Sequence, residues 1–299
     1  MAARELAKAG KKAVIIEAKD RIGGRIFPLD ENEFGYQAQG GAEFTHGETS
    51  VTKSLLKEAS LTYVSMPFDG EMWIFDGNEL RKGYLINEDP EFIRHRDEID
   101  KRLQELDKDV PISVFLNNFF SDDKYEKLRN LINSMVQGFD AADPDKISVF
   151  SLREEWLGQV EWKQGRVKEG YGAMIDFLES ECKKYGVEII LNTEVKSVEI
   201  EGEIIHIQCA DSSKYEGQKV IVSVPLSVIK QIKFQPAIPE KLKAVESIGF
   251  GQVIKFIIRF KDRWWLDALD KDMSKMVFML CKGEISAWWT QYPESYPVL

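Results

Sequence analysis

Val14 to Arg25 reads VIIEAKDRIGGR, and this stretch decides the fold. Val14, Ile15 and Ile16 form a short apolar strand that ends on an acid, Glu17. Before it, Ala2 to Ala9 is rich in helix formers and is closed by Gly10 at a C′ position, with Lys11 and Lys12 leading into the strand. A helix followed by an apolar strand with an acid at its tip is the second half of a βαβ unit. A whole unit takes roughly 30 residues, so an earlier strand and turn are expected upstream of Ala2. The Glu17 carboxylate is placed to accept both ribose hydroxyls of an adenine dinucleotide, or else it is a solvated strand end. The residues that follow favour the first reading. Gly23 and Gly24 let backbone approach a diphosphate closely, and Arg25 offers a planar, permanently charged fork for its oxygens.

The rest of the chain alternates between helical and strand periods. Ile99, Leu103 and Leu106 make one helical stripe, Leu128, Leu131, Ile132, Met135 and Val136 a second, and Met174, Phe177, Leu178 and Cys182 a third that ends near Tyr185 and Gly186. From Val187 the period is that of strands: Val187 to Leu191, Val195 to Ile200, and Ile204 to Cys209 after a turn at Glu201 and Gly202. Val220 to Val224 is almost continuously apolar and ends at Pro225, which predicts a parallel strand buried on both faces. Gln252 to Phe260 alternates, with Ile254, Phe256, Ile258 and Phe260 on one side and Val253, Lys255, Ile257 and Arg259 on the other.

The bulk numbers set the frame. At 299 residues the chain has room for two cores, and 43% hydrophobic with 30% charged residues is a globular composition without a membrane-length apolar run. Fifty acidic against 40 basic residues, a net charge of −10, argue against nucleic acid and mildly favour cationic ligands. Cys182, Cys209 and Cys281 are odd in number, far apart and without metal-ligand spacing, which suggests buried thiols in a reducing, cytoplasmic setting and no metal centre. No secretory signal pattern opens the chain.

The strand-end acid, the two glycines and Arg25 resemble the cofactor-binding N-terminal region of the flavin-containing amine oxidase family, to which phytoene desaturases and protoporphyrinogen oxidases are related. Lys19 stands where many family members carry Arg, a cation with a weaker fork. Gly40 to Gly47, GGAEFTHG, resembles the family loop beside the isoalloxazine ring, which would make Gly41, Ala42 and Glu43 cofactor neighbours. His46 in that loop is read either as a base or as a structural histidine. Val195 resembles the valine whose main chain meets the adenine, and Lys219 to Pro225 resembles the strand returning to the FAD domain. Lys255, set in IGFGQVIKFIIRF ahead of Trp264 and Trp265, resembles the lysine that holds a water near flavin N5 and is the catalytic candidate. A cation there would stabilise negative charge on reduced flavin or on oxygen. Trp288 and Trp289 are aromatic candidates for a cavity wall, with at most one of the two facing the pocket.

The resemblance implies an α/β fold of mixed α+β character: an FAD/NAD(P)-binding Rossmann-like domain with an inserted substrate domain of mixed sheet plus helices. It divides the chain into an FAD-binding part, 1–62 and 161–235, and a substrate-binding part, 63–160 and 236–299, both incomplete. The family's N-terminal glycine-rich turn and C-terminal FAD segment are missing from this pattern, so the expectation is an amine oxidase as the parent protein and poor or no FAD binding, and no activity, by these residues alone. The implied activity is oxidation of a small-molecule amine with FAD and dioxygen. A desaturase or protoporphyrinogen oxidase, and a non-catalytic chain on the same scaffold, are the alternatives.

Overall fold

The computed structural model describes residues 1–66, 70–75, 77–83, 89–138, 140–157, 164–251, 253–281 and 285–299. The expected boundary at 160/161 and Gln252 lie outside them.

The helix-to-strand reading holds. Helix α1 (Ala2–Lys8) is capped by Ala9, and Gly10 turns left-handed at φ +75°, where a Cβ would be strained. Strand β1 (Val14–Ile16) then pairs in parallel with β7 (Glu188–Ile190), which follows helix α8 (Gly170–Lys184). Helix α1 packs on α8 through Arg4. This side chain is 1% exposed, bonded to Glu58 and, at 3.2 Å, to Glu181, and its guanidinium lies 5.3 Å from the Phe177 ring centroid. Burial of a charge on this scale is sustained only because carboxylates surround it.

Among the described residues three further sheets are formed. Strands β8 (Val195–Glu201), β9 (Ile204–Cys209) and β10 (Lys214–Gly217) form an antiparallel meander, and β11 (Lys233–Gln235) joins β8 in parallel. Strands β2 (Phe44–His46), β6 (Gln164–Val167) and β3 (Tyr63–Ser65) form a second sheet with β6 in the middle. Strands β4 (Glu71–Phe75), β5 (Leu80–Gly83), β12 (Met276–Cys281) and β13 (Ala287–Trp289) form a third, ordered β13-β12-β4-β5.

Against this last sheet packs a helical layer of α4 (Pro90–Gln104), α5 (Ile112–Phe119), α6 (Glu126–Gly138) and α7 (Val149–Leu157). Helix α4 starts where Asp89 accepts the Glu91 N–H at 2.9 Å, ahead of a proline suited to a first turn. The first two predicted stripes meet in one core, where Ile99, Leu103, Leu128, Ile132 and Val136 are buried together with Phe115 of α5, whereas Met174, Phe177 and Leu178 of the third belong to a separate cluster with Leu55 and Leu56. Each such side chain contributes roughly 1.5–3 kcal/mol. Short helices α2 (Glu31–Phe34), α3 (Ser50–Glu58), α9 (Leu226–Ile229) and α10 (Pro239–Ser247) fill the connections.

Two strand expectations are corrected. Val220 to Val224 forms no strand, and Ile221 is 64% exposed. A parallel strand needs a ladder beside it, and among the described residues the sheet holding β1 consists of β1 and β7. The alternation from Val253 to Phe260 is inverted at its centre and lost at its ends. Ile254 is 80% and Phe256 57% exposed, while the Lys255 side chain is only 15% exposed. Electrostatic partners draw the lysine inward; Val253 and Arg259 on its side are exposed, and on the other side Phe260 packs against the core of Trp73 and Trp265. These segments contribute to an accessible surface of 18,646 Å², against about 13,000 Å² for a compact monomer of this mass.

Candidate functional site

The fold brings the two glycine motifs together. Residues 25–29 run antiparallel to residues 38–42, with the Gly40 N–H donating to Phe27 O at 2.7 Å and the Ala42 N–H to Arg25 O at 3.1 Å. A Cβ on Gly41 would stand 2.0 Å from the Arg25 carbonyl oxygen, so the approach exists only because residue 41 has no side chain. Gly23 and Gly24 both take positive φ, +96° and +57°. Arg21, which the sequence reading passed over, holds this turn. Its guanidinium donates to the carbonyls of Ile22, Gly24 and Ile26 at 3.2, 2.9 and 3.0 Å and lies 4.3 Å from the Phe27 ring centroid. An arginine two places before a glycine pair was the available signal.

Glu17 closes β1. Its N–H donates to Ile190 O, its carbonyl accepts from Thr193 N–H, and its carboxylate accepts the Lys19 N–H at 2.9 Å. The Asn192 N–H donates to Lys19 O at 2.8 Å, which sets the half-buried Val195, at the start of β8, three residues beyond. Glu17 and Arg25 form no ion pair, and Arg25 is exposed.

The second focus is Glu43, which precedes β2 and is 8% exposed. Its Oε2 accepts from Lys255 Nζ at 2.7 Å and Trp289 Nε1 at 3.0 Å. Its Oε1 accepts from Gln291 Nε2 at 2.8 Å and lies 3.4 Å from Arg166 Nη2. Burial by itself raises this carboxyl, but Arg166 and Lys255 outweigh it and hold it below the usual carboxylate range. Lys255 Nζ also donates to the carbonyls of Gln39 and Gly41 and lies 5.0 Å from the Trp289 ring centroid. Arg166 is anchored on the Thr290 carbonyl at 2.8 Å and lies 4.5 Å from the Phe44 ring centroid. Burial lowers its guanidinium below the ordinary value, with Glu43 opposing.

A small, partly open cavity of about 60 Å³ lies beside this cluster, bordered by Tyr36, Lys255, Phe256, Trp288 and Trp289. Both tryptophans border the cavity, against the expectation of at most one: the Trp289 ring also meets Glu43 and Lys255, whereas Trp288 also packs towards the core of Trp73 and Trp265. Tyr36 stacks on Tyr296 with centroids 4.4 Å apart, and burial, reinforced by Glu43, raises its phenol above the usual value. His46 stands at the exposed end of β2, its ring 6.3 Å from Phe44. No described helix is long and apolar enough to cross a membrane. The described residues hold no cluster of side chains suited to a metal ion.

The glycine turn with exposed Arg25 is thus paired to a glycine loop whose buried Glu43 meets Lys255 from a distant segment. The sequence matches the family described as flavin containing amine oxidoreductase over residues 1–298, and the chain belongs to that family. It is 27% identical over 293 residues to polyamine oxidase 2 of Arabidopsis thaliana, covering 88% of this chain and 57% of that protein. Lysine-specific histone demethylase 2 of Homo sapiens is 26% identical over 284 residues, covering 88% of this chain and 34% of that protein. The chain therefore spans little more than half of the first relative and a third of the second. Among solved structures, putrescine oxidase bound to putrescine superposes with a TM-score of 0.74 at 18% identity, over 99% of this chain and 71% of that one. Cyclohexylamine oxidase from Brevibacterium oxydans IH-35A superposes with a TM-score of 0.64 at 17% identity, over 81% and 60%. These likenesses show the amine oxidase fold.

Proposed function

We propose that this protein takes part in FAD-dependent oxidation of a small amine. The observation that supports this most directly is Lys255, held against the Gln39–Gly41 loop beside an aromatic-walled cavity. The residues present fit a flavin dinucleotide. The space a Gly24 Cβ would take is empty of protein for 4 Å, and Arg25 makes no ion pair among the described residues, so both can meet a diphosphate. Glu17 would hold the ribose, Lys19, Gly23, Gly24 and Arg25 the diphosphate, and the backbone at Val195 the adenine. Gly41, Ala42 and Glu43 would border the ring, within an FAD part of 1–62 and 161–235 and a substrate part of 63–160 and 236–299.

When bound, a flavin would supply a two-electron acceptor for oxidation of the C–H bond beside the amine nitrogen, with dioxygen as the final acceptor and hydrogen peroxide as its product. The imine product would hydrolyse with water to a carbonyl compound and the freed amine. Lys255 would offer a fixed cation beside the Gln39–Gly41 loop to stabilise developing negative charge. Trp289 and Tyr36 exclude water and offer apolar faces to the carbon chain of the substrate.

The test is peroxide release in the presence of added FAD from a panel of mono-, di- and polyamines, with carotenoid and porphyrin precursors as the contrasting set. Amine-dependent peroxide supports the proposal. Turnover confined to the apolar precursors would replace it with the desaturase reading.

A further inference from the structure

Glu43 is a buried acid in the wall of a cavity proposed to receive an amine, and the simplest assumption is that it anchors the substrate ammonium. Its bonding argues otherwise. A carboxylate has about four lone-pair sites. Three donors hydrogen-bond to it, Lys255 Nζ and Trp289 Nε1 on Oε2 and Gln291 Nε2 on Oε1, and Arg166 Nη2 stands 3.4 Å from Oε1 as an ion-pair partner. These four groups come from three separate stretches of chain, β6, the 253–260 segment and the end of the chain from β13 onward. Both oxygens are engaged and the charge is already matched by two cations, which argues against a substrate ammonium as its partner.

The lysine is equally occupied. An ammonium has three donors, and those of Lys255 go to Glu43 at 2.7 Å, to the Gln39 carbonyl, and to the Gly41 carbonyl at a longer 3.4 Å. Two of its three partners are backbone carbonyls of the glycine loop, which fix direction but carry no charge. The charge that keeps Nζ there is that of Glu43.

We propose that Glu43 is the positioning residue for Lys255: its carboxylate, itself held by Trp289, Gln291 and Arg166, clamps the ammonium against the 39–41 loop, leaving the weak Gly41 contact as the one an incoming water or cofactor atom can replace. This rests on the amine-oxidase reading for its purpose, but the clamp is tested without turnover.

The experiment is acetic anhydride labelling of the full chain at one fixed pH, with acetylation of Lys255 and of the exposed Lys12 quantified by peptide mass spectrometry. In the wild-type chain, Lys255 is expected to label at least about tenfold more slowly than Lys12, because its nitrogen is held by Glu43 and the 39–41 loop. In Glu43→Gln the protection is expected to drop by about tenfold, while Glu43→Asp restores part of it. An unchanged Lys255-to-Lys12 labelling ratio in Glu43→Gln overturns the proposal, as does equal labelling of the two lysines in the wild type. If Glu43→Gln does not fold, the double variant Glu43→Gln/Lys255→Met decides. Recovery of folding when the stranded ammonium is also removed supports the clamp, and no recovery overturns it. Peroxide release reports separately on the amine-oxidase reading, so one can fail while the other stands.

Discussion

Lys255 and Trp289 meet on one oxygen: both donate to Glu43 Oε2, and the ammonium lies 5.0 Å from the indole ring centroid. The indole therefore does two jobs, one through Nε1 and one through its π face, and they separate by substitution. Trp289→Phe keeps an aromatic face but removes a bond to a charged acceptor. The expected loss is about 1.5–3 kcal/mol, read from urea unfolding at neutral pH. Trp289→Ala removes both, with a further loss of about 0.5–2 kcal/mol from the lysine contact. Equal stabilities for the two variants would show that the π face contributes nothing.

Two glycines with different duties give different costs. Gly10→Ala meets no atom within 4 Å but keeps a φ of +75°, so the strain alone applies, about 1–2 kcal/mol. Gly41→Ala drives a Cβ to 2.0 Å from the Arg25 carbonyl oxygen, and the two glycine segments must part. A loss of about 3 kcal/mol or more is expected, together with weakened FAD binding by equilibrium titration. Comparable losses for the two variants would sink the account of the loop pairing.

Asp140 gives a pH dependence with a definite sign. Burial, with the charge of Glu155 adding to it, raises its carboxyl to about 7. The fold thus prefers the neutral acid. Its contribution is fully present below the ordinary aspartate value of about 3.9 and is lost as pH rises through about 7. Asp140→Asn should raise the melting temperature relative to wild type at pH about 8 and leave it unchanged at pH about 4. A uniform shift at both values would mean that the titration plays no part.

The inverted segment predicts tolerance. Ile254 and Phe256 are exposed at 80% and 57%, so Ile254→Ser and Phe256→Ser should each change stability by no more than about 0.5 kcal/mol. Phe115→Ala, in the helical core at 0% exposure, should cost about 3–5 kcal/mol. The double serine variant should also bind less of an apolar dye such as anilinonaphthalene sulfonate, since it removes exposed apolar surface. Destabilisation on the scale of Phe115→Ala would place these side chains in a core.

Much of this architecture was legible in the chain. The stripes of α4, α6 and α8, the turn at Glu201 and Gly202, and the helix-to-strand passage through Gly10 follow from local periodicity and from backbone angles that only glycine reaches freely. VIIEAKDRIGGR and GGAEFTHG could each be recognised because their chemistry lies within a dozen residues. What could not be read was which distant groups converge on them. Arg166, Trp289 and Gln291 lie more than a hundred residues from Glu43 and became its partners only when β6 and β13 were placed.

Val220 to Val224 and the Lys255 segment mark the same limit from the other side. Hydrophobic alternation shows that two faces differ but not which one turns inward. That depends on what covers each face: a carboxylate and two carbonyls reach Lys255, while no described sheet reaches Ile254 or Phe256. Local sequence determined the elements and the cofactor-type motifs, because torsions and short-range spacing are encoded within a few residues. Only the tertiary structure decided the charge balance around Lys255, because burial and ion pairing belong to the neighbours that folding brings together.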